Sequence, residues 1–268
     1  MHPRVERLRV GPYRLSRQLA PGPISERWAV VHETDHSIHV AHRFKATDQT
    51  VFDAIKAAAT ALGQLSNSHI LPVEAIADGI GGSTWLITPF TGSQDGLVTL
   101  DSLVKAKGGR MPAAETERAL IQILEGIAAA HAHGCHHGPI SAQEILIDRR
   151  GSLAVELYGI RRRLGTLWNR SAPEVARDEV RSVVELGYWM LTGLSAEDPR
   201  IAATRLFPKL DQRWDEWFSE GLDPLVGFTT AEDALAALPG LRREFEDRQR
   251  SNPVQTVLTR VRQAILPG

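Results

Sequence analysis

The stretch from His131 to Gly159, HAHGCHHGPISAQEILIDRRGSLAVELYG, decides how this chain is read. A helix carrying Ile127 and Ala128 is expected to end near Gly134, because glycine takes the left-handed cap conformation without steric penalty. A polar loop follows, then the apolar run Ile145-Leu146-Ile147. Asp148 to Gly151 reads as a tight turn and Ser152 to Leu157 as a second strand. The stretch also holds His131, His133, Cys135, His136 and His137. Zinc takes such ligands, but His131 and His133 are two apart at a helix end and share no face. With no second cysteine pair, the spacing favours packing, and no metal site is expected.

Helix, loop, short strand, turn, short strand and Tyr-Gly together resemble the catalytic and metal-binding loops of the eukaryotic-like (Hanks-type) Ser/Thr protein kinases. That family reads HRDxKxxN in the loop and DFG after the second strand. His137 falls on the family's His, Gly138 on its Arg and Pro139 on the Asp that accepts the substrate proton. Ser141 stands at the Lys position and Glu144 at the metal-binding Asn. Leu157 replaces the metal-binding Asp, while Tyr158 and Gly159 match Phe and Gly. Proline has no ionisable group, and leucine offers no oxygen to a hard cation. The resemblance therefore implies a scaffold with its catalytic residues lost, with Pro139, Ser141, Glu144 and Leu157 as degenerate positions.

Length and composition are compatible with that reading. The chain has 268 residues, a net charge of -1, 43% hydrophobic and 24% charged residues, which suits a globular protein. Nothing in the charge points to nucleic acid or an anionic membrane. The single cysteine, Cys135, excludes an internal disulfide and suits a reducing cytoplasm. The basic start lacks the apolar core of a secretory signal, and no apolar run reaches spanning length. HAHG and the Ala/Leu-rich helices give the chain a bacterial look.

Working back toward the start, residues 1–10 read as a leader, followed by the strands YRLSRQLA, RWAVVHET and SIHVAHRF. The run from Ala20 to Ser25 lies where the family has its glycine-rich phosphate loop. It keeps one glycine, Gly22, and its two prolines remove two amide donors. A vestigial phosphate loop and an ordinary hairpin turn are the two readings. In the third strand Ala41-His42-Arg43 fits the family's Ala-x-Lys frame, which puts Arg43 at the nucleotide-binding Lys, with Lys45 on the same face. An exposed strand cation is the alternative. No glutamate occurs from Val51 to Leu65, where a helix is expected, and Ala58 takes the place of the family's ion-pairing Glu. Two further strands are read in ILPVEAIADG and STWLITPF, and the resemblance implies Thr88 at the back of the adenine cleft and Pro89-Phe90 at the hinge. Glu156, one residue before Leu157, is expected to point away from the metal position by strand alternation.

Toward the end, Pro112 to His133 reads as a long helix with Leu120, Ile123, Leu124 and Ile127 at helical spacing. Ala172-Pro173-Glu174 resembles the APE that closes the family's activation segment, here unusually short, with Thr166 and Ser171 as its only hydroxyls. DEVRSVVELGYWMLTG resembles the central large-lobe helix and puts Glu179 at its acidic anchor. Gly227 replaces the Arg that would pair with Glu174.

The expected fold is α+β and bilobal, with a small antiparallel sheet and one helix (11–91), a mainly helical second lobe (92–239) and a helical tail (240–268). The expected function is that of a pseudokinase in signalling: a scaffold or allosteric regulator that binds a protein partner, such as a kinase or an envelope protein. The alternative is a nucleotide-binding or weakly active kinase. No cofactor is required by the first reading, and ATP without magnesium is compatible with Gly22, Arg43, Thr88 and Phe90.

Overall fold

The computed structural model describes residues 9–44, 49–63, 65–78, 84–164, 170–197 and 199–244. Its first part is an antiparallel sheet of β1 (Arg9–Val10), β2 (Tyr13–Gln18), β3 (Glu26–His32), β4 (Ile38–Phe44), β5 (Ala75–Asp78) and β6 (Thr84–Pro89). The strands lie in the order β1-β2-β3-β4-β6-β5. Side chains alternate between the faces of a strand, so the sheet buries two separate sets. Val10, Tyr13, Leu15, Val30, Ala41, Trp85 and Ile87 pack together on one face. Leu19, Ala29 and Val40, with Phe90 and Leu97, pack on the other. The helix α1 (Gln49–Leu62) follows β4 and turns Ile55, Ala58, Ala59 and Leu62 into the main core.

The expected leader is corrected at its end. Arg9 and Val10 pair with β2, and Val10 is buried, so this edge strand follows from an apolar side chain with a place in the sheet. The sheet thus has six strands rather than five. Residues 1–8, Lys45 and the Gly79–Gly82 turn lie outside the described residues.

The second part joins a small sheet to a helical bundle. Strands β7 (Val98–Thr99), β8 (Ile145–Ile147) and β9 (Leu153–Val155) form the sheet. The helices are α2 (Leu100–Ala106), α3 (Ala113–Ala132), α4 (Ile160–Leu164), α5 (Ala172–Thr192), α6 (Ala203–Leu206), α7 (Arg213–Gly221) and α8 (Ala231–Ala236). Pro112 caps α3 from outside, and the apolar stripe Leu120-Ile123-Leu124-Ile127 is buried as its spacing predicts. Gly187 lets α5 approach closely. A β-carbon there would lie 3.1 Å from Leu120 and 3.3 Å from Trp217. Trp214 and Trp217 are both buried with ring centroids 6.2 Å apart, and Trp217 Nε1 donates to the Ala234 carbonyl at 2.9 Å.

Two boundaries differ from expectation. Ala172-Pro173-Glu174 forms the first turn of α5, so the helix that carries Glu179 starts at Ala172 rather than at the expected Asp178. Ser171 and Glu174 form a reciprocal capping box there, and proline suits a first turn, where its missing N–H costs nothing. Glu174 thus spends its carboxylate on Ser171. Thr166 lies outside the described residues. At the other end, 239–244 continue as helix, with the Gly240 N–H donating to Glu117, so the bundle runs past the expected boundary at 239. The tail beyond 244 is outside the described residues. Among the described residues no helix is long and apolar enough to cross a membrane.

Candidate functional site

The pairing of β4 decides which side chains face the space between the two parts. Arg27 lies opposite His42, Ala29 opposite Val40, and Val40 opposite Thr88. Directly paired residues share a face. His42 therefore looks into the cleft with Val40 and Thr88, and Arg43 looks the other way. Arg43 is half-exposed, sits over the Trp85 ring at 5.8 Å and lies 3.7 Å from Glu26. The expectation for Arg43 is corrected: the frame was one residue off, and the cleft residue is His42. Thr88 is fully buried, and Phe90 packs against Leu19, Ala29 and Val40.

The cleft is filled by the chain's own charges. Arg27 reaches across from β3 and donates through Nε at 3.0 Å, and also through Nη2, to Glu156 Oε2. Its Nη2 donates further to the Gln143 carbonyl at 3.1 Å. Both side chains of this pair are 2% exposed. Glu156 thus points into the cleft, contrary to the expectation that it faces away. It follows the end of β9, where its N–H donates to the Glu144 carbonyl at 2.8 Å and fixes its direction. Burial pushes the Glu156 carboxyl up, and the Arg27 guanidinium pulls the other way. A guanidinium stays charged at any ordinary pH, so its buried counter-ion is held ionised.

His42 completes the plug. Its Nδ1 is 3.1 Å from Ser25 Oγ, its Nε2 is 3.0 Å from Thr88 Oγ1, and Glu156 Oε1 is 3.6 Å away. Gly22 closes the top. Its N–H donates to the Ser25 carbonyl, closing its own turn, and a β-carbon on it would lie 2.9 Å from Arg27 Nε. The amide and the space that a phosphate would need are already used, which favours the ordinary turn for this run.

The loop below carries a second internal ion pair. Glu144 is 2% exposed and accepts from the Ser141 N–H at 2.9 Å and the Ser141 hydroxyl at 2.7 Å. Arg161 Nη1 donates to it at 3.1 Å and to the Pro139 carbonyl at 3.3 Å. Burial raises this carboxyl, but His137, whose Nε2 lies 3.4 Å away, and the two bonds from Ser141 outweigh it and hold the pKa at about 2. A guanidinium therefore sits on the carboxylate at the position of the family's metal-binding Asn. Leu157 is buried in the core with φ of +50°, and Pro139 is exposed.

Glu179 on α5 holds the loop, as its position predicted. Its Oε2 accepts from the N–H groups of His137 at 2.9 Å and Gly138 at 3.2 Å, and its Oε1 accepts from the Tyr158 hydroxyl. Burial and then the Glu179 charge push the Tyr158 phenol well above its ordinary value, so it stays a donor. His137 stacks on Tyr158 at 5.3 Å and accepts the Gly159 N–H through Nδ1 at 2.9 Å.

No family model matches the chain. The Ser/Thr protein kinase PknH of Mycobacterium bovis is 29% identical over 189 residues, 63% of this chain and 30% of that protein. PknH of Mycobacterium tuberculosis matches equally, over 29% of its length. A putative cyclin-dependent kinase F-2 of rice is 32% identical over 151 residues, 49% of this chain and 45% of that protein. The PknI kinase domain of Mycobacterium tuberculosis superposes with a TM-score of 0.70 at 15% identity, covering 90% of this chain and all of that domain. The chain has the protein-kinase fold. In sequence it is similar over part of its length to Ser/Thr protein kinases, and it spans less than half the length of these curated relatives.

Within this kinase-like fold, sequence reasoning missed Arg27, His42 and Glu156 as cleft residues. The signal was the two-residue spacing Arg27-Ala29 and Val40-His42, which puts each polar group on the same face as a cleft apolar residue. The buried His42 also gives the kinase-like domain a pH signature. Burial first, and the Arg27 charge second, lower its pKa from 6.5 to about 3. Between those values the unfolded chain binds a proton that the folded chain refuses. His42's contribution is complete above pH 6.5 and is lost as pH falls toward 3. The slope is about 1.4 kcal/mol per pH unit. Urea unfolding midpoints between pH 5 and 6.5, above the range where Glu144 titrates, measure it. His42→Gln is expected to remove this part of the slope.

Proposed function

We propose that this chain is a catalytically inactive protein-kinase-like domain that acts by binding a protein partner, such as a kinase or another signalling protein, as scaffold or allosteric regulator. The observation that carries the reading is the buried Arg27–Glu156 pair, with His42 beside it, in the space between the lobes. Nucleotide would have to displace an ion pair that costs several kcal/mol to break. Chemistry after displacement would lack a base at Pro139 and a metal ligand at Leu157, and would meet a Glu144 already neutralised by Arg161. Preorganised electrostatics supplies most of phosphoryl-transfer catalysis, so several simultaneous losses leave little rate.

The second reading, a kinase with altered residues, is favoured by the kinase names of the homologues. Thermal shift with ATP, with and without magnesium or manganese, and a phosphoryl-transfer assay separate the two. The proposal expects no shift and no turnover. Metal-dependent stabilisation, with transfer that is lost in Glu144→Gln, overturns it; metal-independent stabilisation by ATP overturns the closed cleft alone.

A further inference from the structure

We infer that His131, His136 and Glu179 form a binding site for a zinc-class divalent cation. His131 is in the last turn of α3, and His136 comes back beside it after Gly134 turns the chain at φ +69°. The ring centroids are 4.7 Å apart. His131 Nε2 and His136 Nδ1 are buried and make no hydrogen bond. One ring nitrogen of each histidine and a Glu179 carboxylate oxygen lie within 4.8 Å of one another. A buried imidazole nitrogen without a hydrogen bond costs free energy that a ligand recovers.

One edge of the set already has the spacing of a coordination sphere. His131 Nε2 is 3.4 Å from Glu179 Oε2. Ligands at about 2.0–2.1 Å from a tetrahedral zinc stand about 3.3 Å apart. Closing the other edges, which span up to 4.8 Å, takes a movement of His136, which sits in the loop after Gly134. The carboxylate is oriented by its other bonds to the His137 and Gly138 N–H groups and the Tyr158 hydroxyl, as ligating carboxylates commonly are. Both histidine residues are partly accessible, His131 with 12% of its side chain, while the nitrogens themselves are covered, so entry of the ion and of a fourth, water ligand goes with movement of His136.

The sequence argued against a metal because His131 and His133 share no face. The structure satisfies that objection differently: His133 turns away, its Nδ1 at 2.9 Å from the Ala129 carbonyl, and His136 takes its place. The site is separate from the closed cleft and stands whatever the catalytic status.

The test uses the full chain without an affinity tag, stripped with chelator and dialysed against zinc. One zinc per chain is expected, with a rise in melting temperature of about 5 °C or more at saturating metal. Cobalt in place of zinc is expected to give visible absorption bands of a four-coordinate site. His136→Ala and His136→Gln are expected to abolish both, and His133→Ala to leave them intact. Substoichiometric zinc, cobalt spectra of the free aqueous ion, or binding unchanged in both His136 variants overturns the assignment.

Discussion

Arg27→Ala is expected to cost this chain about 3–5 kcal/mol of stability, because it strands a buried carboxylate. Glu156 is 2% exposed, and both Arg27 bonds fall on its Oε2, while its Oε1 makes no hydrogen bond. No other cation among the described residues contacts it, since His42 at 3.6 Å is held neutral by burial. The urea midpoint of the variant should fall accordingly. The double variant Arg27→Met with Glu156→Leu should recover most of the loss, because two well-packed apolar groups need no counter-charge. A loss below 1 kcal/mol in Arg27→Ala would mean that the lobes are not clamped by this pair. The same experiment separates stability from specificity: if the double variant is as stable as the parent yet gains nucleotide-dependent stabilisation, the pair serves to exclude nucleotide.

Glu179→Ala should be the second large effect, about 4 kcal/mol or more. One fully buried carboxylate accepts the His137 and Gly138 N–H groups and the Tyr158 hydroxyl. Each buried donor left without an acceptor costs about 1–3 kcal/mol. Glu179→Gln keeps a carbonyl oxygen for the loop and should retain more than half of the stability. Amide hydrogen exchange at His137 and Gly138 gives the local readout: protection should vanish in the alanine variant and persist in the glutamine one.

The bilobal α+β architecture was legible because it rests on order and spacing. The ILID run, the turn at Gly151, the Tyr-Gly pair and the apolar stripe of α3 each constrain local geometry. Glu179 was legible for the same reason, being counted along one rigid helix from Gly193. What sequence could not supply was the filling of the cleft. Assigning Arg43 required the strand frame to be right to one residue, and a slip of one reverses the face. Glu156 was misjudged because alternation holds only within a strand, and β9 ends at Val155. Arg27 drew no notice at all. Its meaning comes from a partner 129 residues away, a distance no local pattern spans. The histidine cluster shows the same limit, since Gly134 reverses the chain and juxtaposes residues that helical spacing keeps apart.

Leu157 holds a left-handed backbone, at φ +50°, with its side chain buried in the core. Asparagine and aspartate enter that region readily, whereas for leucine it costs about 1–2 kcal/mol. The surrounding packing, not the residue, therefore dictates the shape of this corner. An aspartate at this position would find a backbone already cast for it and a pocket lined with hydrocarbon. Placing an oxygen ligand at this corner is thus a problem of solvation before it is one of geometry.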